Sequence, residues 1–275
     1  YLATGSGDGT IRLWEKDGTP LLSFQAHDSG VADIEFSPDG SLILSTCMDR
    51  TVKLWDAEGR CVKDLGKFDS SAVEYADFDP AGEGFVLGLG QDVVLFDMEG
   101  RERMRLPFHD PVKSLMRPVD MIRAVAFNED GTLLAASADD MFGNGDHRIK
   151  VWNREGKIVA DFTGHTNGIT DLAFQPGGML LASASLDKTV RLWDIEEGCV
   201  RVLAGHTAKC EGIAFSPDGN FLSSVGYDAT LRVWNVQSGE HYAILNADDE
   251  WLLYNDEGYF DASRNGGCLL GTVKG

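Results

Sequence analysis

Thr51-Val52-Lys53-Leu54-Trp55-Asp56 is a run that the chain keeps returning to. The same order of threonine, apolar residue, base, apolar residue and tryptophan recurs at Thr10-Ile11-Arg12-Leu13-Trp14, Thr189-Val190-Arg191-Leu192-Trp193 and Thr230-Leu231-Arg232-Val233-Trp234. A weaker copy runs from Arg148 to Trp152, and Val93 to Phe96 closes on phenylalanine. The steps from Trp14 to Trp55, Phe96, Trp152, Trp193 and Trp234 are 41, 41, 56, 41 and 41 residues. A fixed period of this length marks an array of like supersecondary units.

Outward from each run lies a turn: Ser37-Pro38-Asp39-Gly40, Asn128-Glu129-Asp130-Gly131, Gln175-Pro176-Gly177-Gly178 and Ser216-Pro217-Asp218-Gly219. Proline presets φ early in such a turn and glycine accepts positive φ at its end, so these predict hairpins. Around them stand short alternating runs such as Val31-x-x-Ile34-x-Phe36, Leu42-x-Leu44 and Val52-x-Leu54. Each unit therefore predicts four short antiparallel strands, and no segment has the period of an amphipathic helix. The fold class is all-β. A lone four-stranded sheet leaves both faces open, so the sheets are expected to stack on one another.

The pattern resembles the WD40 family of β-propellers. Gly164-His165 and Gly205-His206 before a unit, and Trp55-Asp56 and Trp193-Asp194 at the end of a third strand, carry the resemblance. It implies one propeller domain over residues 1–275, with blades at about 1–27, 28–68, 69–109, 110–165, 166–206, 207–246 and 247–275. The first and last of these are incomplete. Leu252 to Phe260 aligns with Ile213 to Phe221 at an offset of 39 residues, which predicts strands of a seventh blade. A seven-bladed propeller of four-stranded antiparallel blades is the expectation, cut from a longer protein because the first residue is Tyr1. Six blades, with Trp251–Tyr254 completing the first, is the alternative.

Composition narrows the function. The 275 residues carry 44 acidic and 24 basic side chains, a formal charge of −20. Phosphate contacts need clustered Lys and Arg, so nucleic acid and anionic membrane surfaces are excluded as partners. No apolar run is long enough for a membrane span, and no leader opens the sequence. Five cysteines without a Cys-x-x-Cys pair argue against a disulfide scaffold and a cysteine-rich zinc site, and for a reducing, cytoplasmic setting.

Each unit offers a serine, a histidine and an aspartate, the ingredients of a hydrolase triad. A triad occurs once, whereas this set recurs as His27/Asp49/Trp55, His165/Asp187/Trp193 and His206/Asp228/Trp234. The family resemblance implies that these residues, with Ser183 or Ser185 in the fifth unit, form a structural network. His109 joins His27, His165 and His206 at the pre-strand position, which leaves His147 and His241 without a partner at ligand spacing. Catalytic residues and cofactors are accordingly expected to be none. Gly5 to Thr10 looks like a phosphate loop but precedes a strand and lacks a lysine, so it predicts a turn. Asp139, Asp140, Asn144 and Asp146 cluster around Gly143 and Gly145 at a spacing unlike an EF-hand, which predicts a solvated acidic turn. Cys61 and Cys199, each six residues after a tryptophan, are expected to pack as small hydrophobes on an outer strand.

The irregular step carries the functional reading. Nine extra residues fall around Lys113–Asp120 and six around Met141–His147, in loops that leave one face of a propeller. Met116, Arg117, Met141, Phe142 and His147 there, with Met48, Leu186 and Tyr227 just before or at the same turn in other units, are the candidate partner-binding residues. The third unit is degenerate, with Phe68 for the histidine and Phe96 for tryptophan, and is expected to be held by packing. Trp251 to Ser263 is similar to the closing segment of bacterial WD40 proteins, where the propeller often accompanies effector domains including caspase-like peptidases. The resemblance implies a non-catalytic scaffold or sensor that binds a protein or peptide partner, or an effector domain in the same or another chain. The net charge favours partners with basic segments. The alternative is a small-molecule or metal site at the axial mouth, or an accessory domain of a larger enzyme.

Overall fold

In the computed structural model of the chain, residues 1–70, 73–108, 120–140, 147–247, 250–255 and 260–262 are described. They hold 25 strands and no helix. The first sheet joins β1 (Leu2–Gly5), β2 (Thr10–Trp14) and β3 (Pro20–Gln25). The second joins β4 (Val31–Phe36), β5 (Leu42–Cys47), β6 (Thr51–Asp56) and β7 (Cys61–Lys67). The third holds β8 (Ala76–Phe78), β9 (Gly84–Leu89), β10 (Asp92–Asp97) and β11 (Glu102–Pro107). The fourth holds β12 (Asp120–Phe127), β13 (Leu133–Asp140), β14 (Arg148–Asn153) and β15 (Ile158–Phe162). The fifth holds β16 (Ile169–Phe174), β17 (Leu180–Ser185), β18 (Thr189–Asp194) and β19 (Gly198–Ala204). The sixth runs β20 (Cys210–Phe215), β21 (Phe221–Gly226), β22 (Thr230–Asn235), β23 (His241–Ala247), β24 (Glu250–Tyr254) and β25 (Phe260–Ala262).

The architecture is an all-β propeller of six blades, which corrects the expectation of seven. The described residues of the tail make no new sheet: β24 pairs antiparallel with β23, Leu245 opposite Leu252, and β25 pairs with β24. The alternative expectation of six blades holds in number, but its placement of Trp251–Tyr254 in the first blade does not, since these residues pair with β23. Connection length explains it. Two positions separate β23 from β24, against five between β19 and β20, and a two-residue link joins antiparallel neighbours.

The hairpin turns take the form their residues dictate. Ser37 Oγ donates to Asp39, whose carboxylate accepts the Ser41 N–H at 3.0 Å, and Gly40 closes the turn at φ 71°. The turns between the second and third strands of a sheet (the b-to-c turns) end instead on a non-glycine residue in the left-handed region in the second, fifth and sixth sheets, Arg50 (φ 76°), Lys188 (φ 73°) and Ala229 (φ 57°), with His147 (φ 45°) in the fourth.

The chain divides into two compact units, Tyr1–Asp161 and Phe162–Gly275. In the first, core forms between successive sheets. Ile11 and Leu13 pack with Ile43 and Trp55; Leu44 and Leu54 pack with Phe85, Leu87 and Phe96; Val86 and Val93 pack with Leu134 and Trp152. In the second unit Ala182, Val190 and Leu192 pack with Leu222 and Trp234. Neighbours on one strand, such as Ile43 and Leu44, thus serve opposite faces, because successive side chains of a strand alternate. That is why β5 and β9 are buried almost without interruption.

Carboxylates tie the first strands of successive sheets together, a feature absent from the sequence reading. In the first unit Asp33 Oδ2 accepts the Ala76 N–H at 2.9 Å, and Asp77 Oδ2 accepts the Phe127 N–H at 2.7 Å. In the second, Asp171 Oδ2 accepts the Ile213 N–H at 2.8 Å. Burial raises the carboxyl of Asp33, and it raises Asp77 to about 7 against the pull of backbone N–H groups from Phe127 and Phe78.

Candidate functional site

The recurring polar set has the same construction in the fifth and sixth sheets. Trp193 Nε1 donates to Ser183 Oγ at 2.8 Å, His165 Nε2 lies 2.7 Å from the same oxygen, and His165 Nδ1 lies 2.8 Å from Asp187 Oδ2. In the sixth sheet the distances are 2.8 Å for Trp234 to Ser224, 2.8 Å for His206 Nε2 to Ser224 and 2.9 Å for His206 Nδ1 to Asp228 Oδ2. An indole N–H only donates, so the serine oxygen accepts it and turns its own proton to Nε2; Nδ1–H then points at the carboxylate. Thr189 and Thr230 hydroxyls complete the carboxylate shell at 2.6 and 2.7 Å. Of the two serines considered in the fifth unit, Ser183 is the network member, while Ser185 Oγ donates to the carbonyls of Asn167 and Gly168.

This order is that of a Ser-His-Asp triad, but its geometry is structural. Ser183 is wholly buried beneath the Trp193 indole, so no substrate carbonyl reaches its oxygen. Burial lowers His206, with the Asp228 carboxylate opposing it. Burial alone would raise Asp187 and Asp228, but hydrogen bonds from His165, Thr189, Thr230, Thr207 and His206 outweigh it. Asp187 sits well below the usual carboxylate range and Asp228 at about 2.

The second sheet departs from this pattern. His27 Nε2 meets Ser45 Oγ at 2.7 Å and Trp55 Nε1 donates to Ser45 at 2.8 Å, but His27 Nδ1 meets Thr51 Oγ1 at 2.8 Å rather than the carboxylate. Thr51 relays to Asp49 Oδ1 through its hydroxyl at 2.7 Å and its N–H at 2.9 Å. Burial and then the nearby Lys53 ammonium bring His27 down to about 4. Asp49 sits at about 2, burial being outweighed by Thr51 and Cys47.

In the third sheet the network is apolar throughout. Phe68 replaces the histidine, Phe96 the tryptophan, and Leu87, paired with Ala76 as Ser45 is with Ile34, replaces the serine. Phe68 meets Phe96 edge-on at 5.6 Å and Phe85 stacks on Phe96 at 5.5 Å. Packing holds this sheet. The fourth sheet has Ala136, paired with Lys150, at the serine position, and Phe108 meets Trp152 at 6.0 Å.

The candidate partner-binding residues fall into three groups. Met116, Arg117, Met141 and Phe142 lie outside the described residues, as do the other insertion residues except Asp120 and His147; of the acidic cluster, Asn144 and Asp146 lie outside them and Asp139 and Asp140 end β13. Met48 and Tyr227 are 67% and 72% exposed, and Leu186 is half-buried at the equivalent turn. His147 is corrected out of the exposed set: it is 8% exposed and its Nδ1 lies 3.2 Å from Asp139 Oδ1. The left-handed backbone at His147 turns the ring inward. Cys61 and Cys199 are also corrected. Both are exposed, because each pairs with its tryptophan at a β-bulge of the outer strand and points to solvent.

The fold and the repeated network define a WD-repeat propeller. The WD domain, G-beta repeat family matches residues 1–15, 18–56, 109–153, 156–194 and 197–235, more than half of the chain, which therefore belongs to that family. The chain is 29% identical over 195 residues to the periodic tryptophan protein 2 homolog of Dictyostelium discoideum, covering 69% of this chain and 20% of that protein. It is 28% identical over 211 residues to the nuclear distribution protein nudF of Aspergillus niger, covering 68% and 45%. It is 45% identical over 67 residues to nudF 2 of Aspergillus clavatus, covering 24% and 15%. These relatives are eukaryotic, not bacterial as the closing segment led one to expect, and this chain spans less than half the length of each. The matches indicate no enzyme family and accord with a protein-interaction scaffold.

Proposed function

We propose that the chain is a non-catalytic platform that holds a protein or peptide partner on its b-to-c turns. The observation that carries this is one turn position seen in both compact units. The residue immediately before the turn aspartate is Met48 in one, and Leu186 and Tyr227 in the other. Large apolar side chains as exposed as Met48 and Tyr227, standing on turns fixed from beneath by buried hydrogen bonds, are suited to act as interface anchors. The fourth-unit residues Met116, Arg117, Met141 and Phe142 are proposed as partner-binding residues as well. The partner carries basic segments, in keeping with the charge of −20, and is a separate protein or an effector domain. The four cysteines among the described residues are free, which suits a reducing, cytoplasmic setting.

The test compares wild type with Met48→Glu and Tyr227→Glu, each first verified to unfold at the wild-type temperature, in co-purification from source lysate at low and moderate salt. A partner held by wild type, weakened by salt and lost from either variant supports the reading. A partner equally retained by both variants removes these turns from the interface.

A further inference from the structure

The second sheet differs from its fellows at one buried cluster, and the difference makes a metal-ligating set. A ring nitrogen of His27, Cys47 Sγ and a carboxylate oxygen of Asp49 all lie within 4.8 Å of one another. At the position of Cys47 the fifth sheet has Ser185 and the sixth has Gly226, so sulfur is present only here among the three copies. The carboxylate is also placed differently. Asp187 and Asp228 bond directly to their histidines, whereas Asp49 is bound to Thr51 and to the Cys47 thiol, leaving no direct bond between the imidazole and the carboxylate.

We infer that His27, Cys47 and Asp49 form a site for a single borderline-soft divalent cation of the zinc class. Imidazole, thiolate and carboxylate are the three donor types such an ion takes in four-coordinate sites, with the fourth position left to water. The histidine is already oriented for it. Without an ion Nδ1–H donates to Thr51 Oγ1, whose own proton goes to Asp49, and Ser45 Oγ donates to Nε2 at 2.7 Å. On binding, the ring proton moves to Nε2, where the second lone pair of Ser45 Oγ accepts it, and Nδ1 is left to the ion. Such an outer hydrogen bond is what fixes a ligating imidazole. Charge balances as well: Cys47 loses its thiol proton to solvent as the sulfur–metal bond forms, and thiolate plus carboxylate neutralise the dication in a buried place. Cys47 and His27 are buried, while half-buried Asp49 on the turn gives the ion its entry.

The experiment uses the full chain with Cys61, Cys199 and Cys268 replaced by serine, so that Cys47 and the buried Cys210 are the remaining thiols. Metal-free protein is titrated with Co²⁺ and then Zn²⁺, reading the near-ultraviolet sulfur-to-cobalt charge-transfer band and the unfolding temperature. One equivalent of Co²⁺ giving that band, displaced by Zn²⁺, with a raised unfolding temperature, is expected. Cys47→Ser copies the fifth-sheet residue and should fold without metal at the unchanged temperature. It should lose the band and bind Zn²⁺ more weakly by at least the ~10–100-fold seen when a mere outer-shell partner is removed. Asp49→Asn should keep a weakened band. No band in the parent protein, or a band and a Zn²⁺ affinity unchanged in Cys47→Ser, overturns the assignment.

Discussion

Asp171 on β16 and Ile213 on β20 are joined by a carboxylate-to-amide bond of 2.8 Å, and Asp33 and Ala76 repeat it at 2.9 Å between the second and third sheets. The same carboxylates take their own following N–H groups, Leu172 and Ile34, on the other oxygen. Each aspartate therefore satisfies two backbone donors where strands of different sheets meet and no ladder bond is available. The family's tryptophan-centred network braces the second, fifth and sixth sheets internally, while these aspartates brace one sheet to the next.

Removing that carboxylate leaves a part-buried N–H without its acceptor. Asp171→Ala should destabilise by about 1–3 kcal/mol, the penalty for an orphaned buried donor. Asp171→Asn, which keeps an oxygen in place, should lose less. Hydrogen exchange gives the sharper reading: the Ile213 amide should lose protection selectively in the alanine variant. Uniform loss across the sixth sheet would refute a local tether.

The polar and apolar versions of the network predict opposite sensitivities. Ser183→Ala strands the Trp193 indole N–H and the His165 Nε2, and should cost about 1–3 kcal/mol. In the third sheet the serine belongs to the wrong set: Leu87→Ser removes a fully buried side chain from among Phe85, Phe96 and Leu44 and buries a hydroxyl without a partner. It should cost about 3–5 kcal/mol. Urea melts of the two variants separate the cases, and a Leu87→Ser protein as stable as wild type would mean that the third sheet retains a polar partner.

Stability against pH should fall at both ends for separate reasons. His27 is held at about 4 when folded against an ordinary 6.5, so the folded chain binds its proton less readily than the unfolded one. Its contribution is whole above pH 6.5 and is lost as pH falls from there through about 4, and His206 acts in the same direction. Asp77 has the opposite sign. Its folded value is raised to about 7 from 3.8, so its contribution is whole below pH 3.8 and is lost as pH rises through 7. Asp77→Asn keeps an acceptor for the Phe127 N–H and carries no charge. It should exceed wild type in stability at pH 8, the gap closing toward pH 5. Parallel wild-type and variant curves over that range would exclude a neutral Asp77.

Which parts of this were legible in the sequence follows from the range of the forces involved. Trp55, Trp193 and Trp234 with their alternating neighbours announce third strands because strand pairing and turn chemistry are local, and Phe68 with Phe96 announced an apolar third sheet. The destination of Trp251–Tyr254 was not legible from its register, which matches a first strand; the short link to β23 decides it. Asp33 and Asp171 looked like polar breaks in apolar runs, since their partners lie 43 and 42 residues away on another sheet. His147 and the outer-strand cysteines were misread because their direction depends on a left-handed residue and a β-bulge, which spacing does not encode.

The left-handed turn position yields a last prediction with two signs. Gly9 in the first sheet occupies the place that Arg50, Lys188 and Ala229 hold elsewhere, each just before the threonine of a third strand. A side chain pays about 1 kcal/mol to sit at positive φ, so Lys188→Gly should stabilise by up to about 1 kcal/mol, less whatever the glycine gains in unfolded-state entropy. Gly9 permits no such exchange in reverse. A Cβ there would lie 2.2 Å from the His27 carbonyl oxygen and 2.8 Å from that of Ser29, both backbone atoms. Gly9→Ala should therefore force the Ala26–Ser29 segment away from the turn and break the bonds by which the Gly9 carbonyl accepts the N–H groups of Ala26 and His27. Thermal melts of the two variants should move in opposite directions, and a Gly9→Ala protein melting with wild type would show that this close approach does not hold the first sheet to the start of the second.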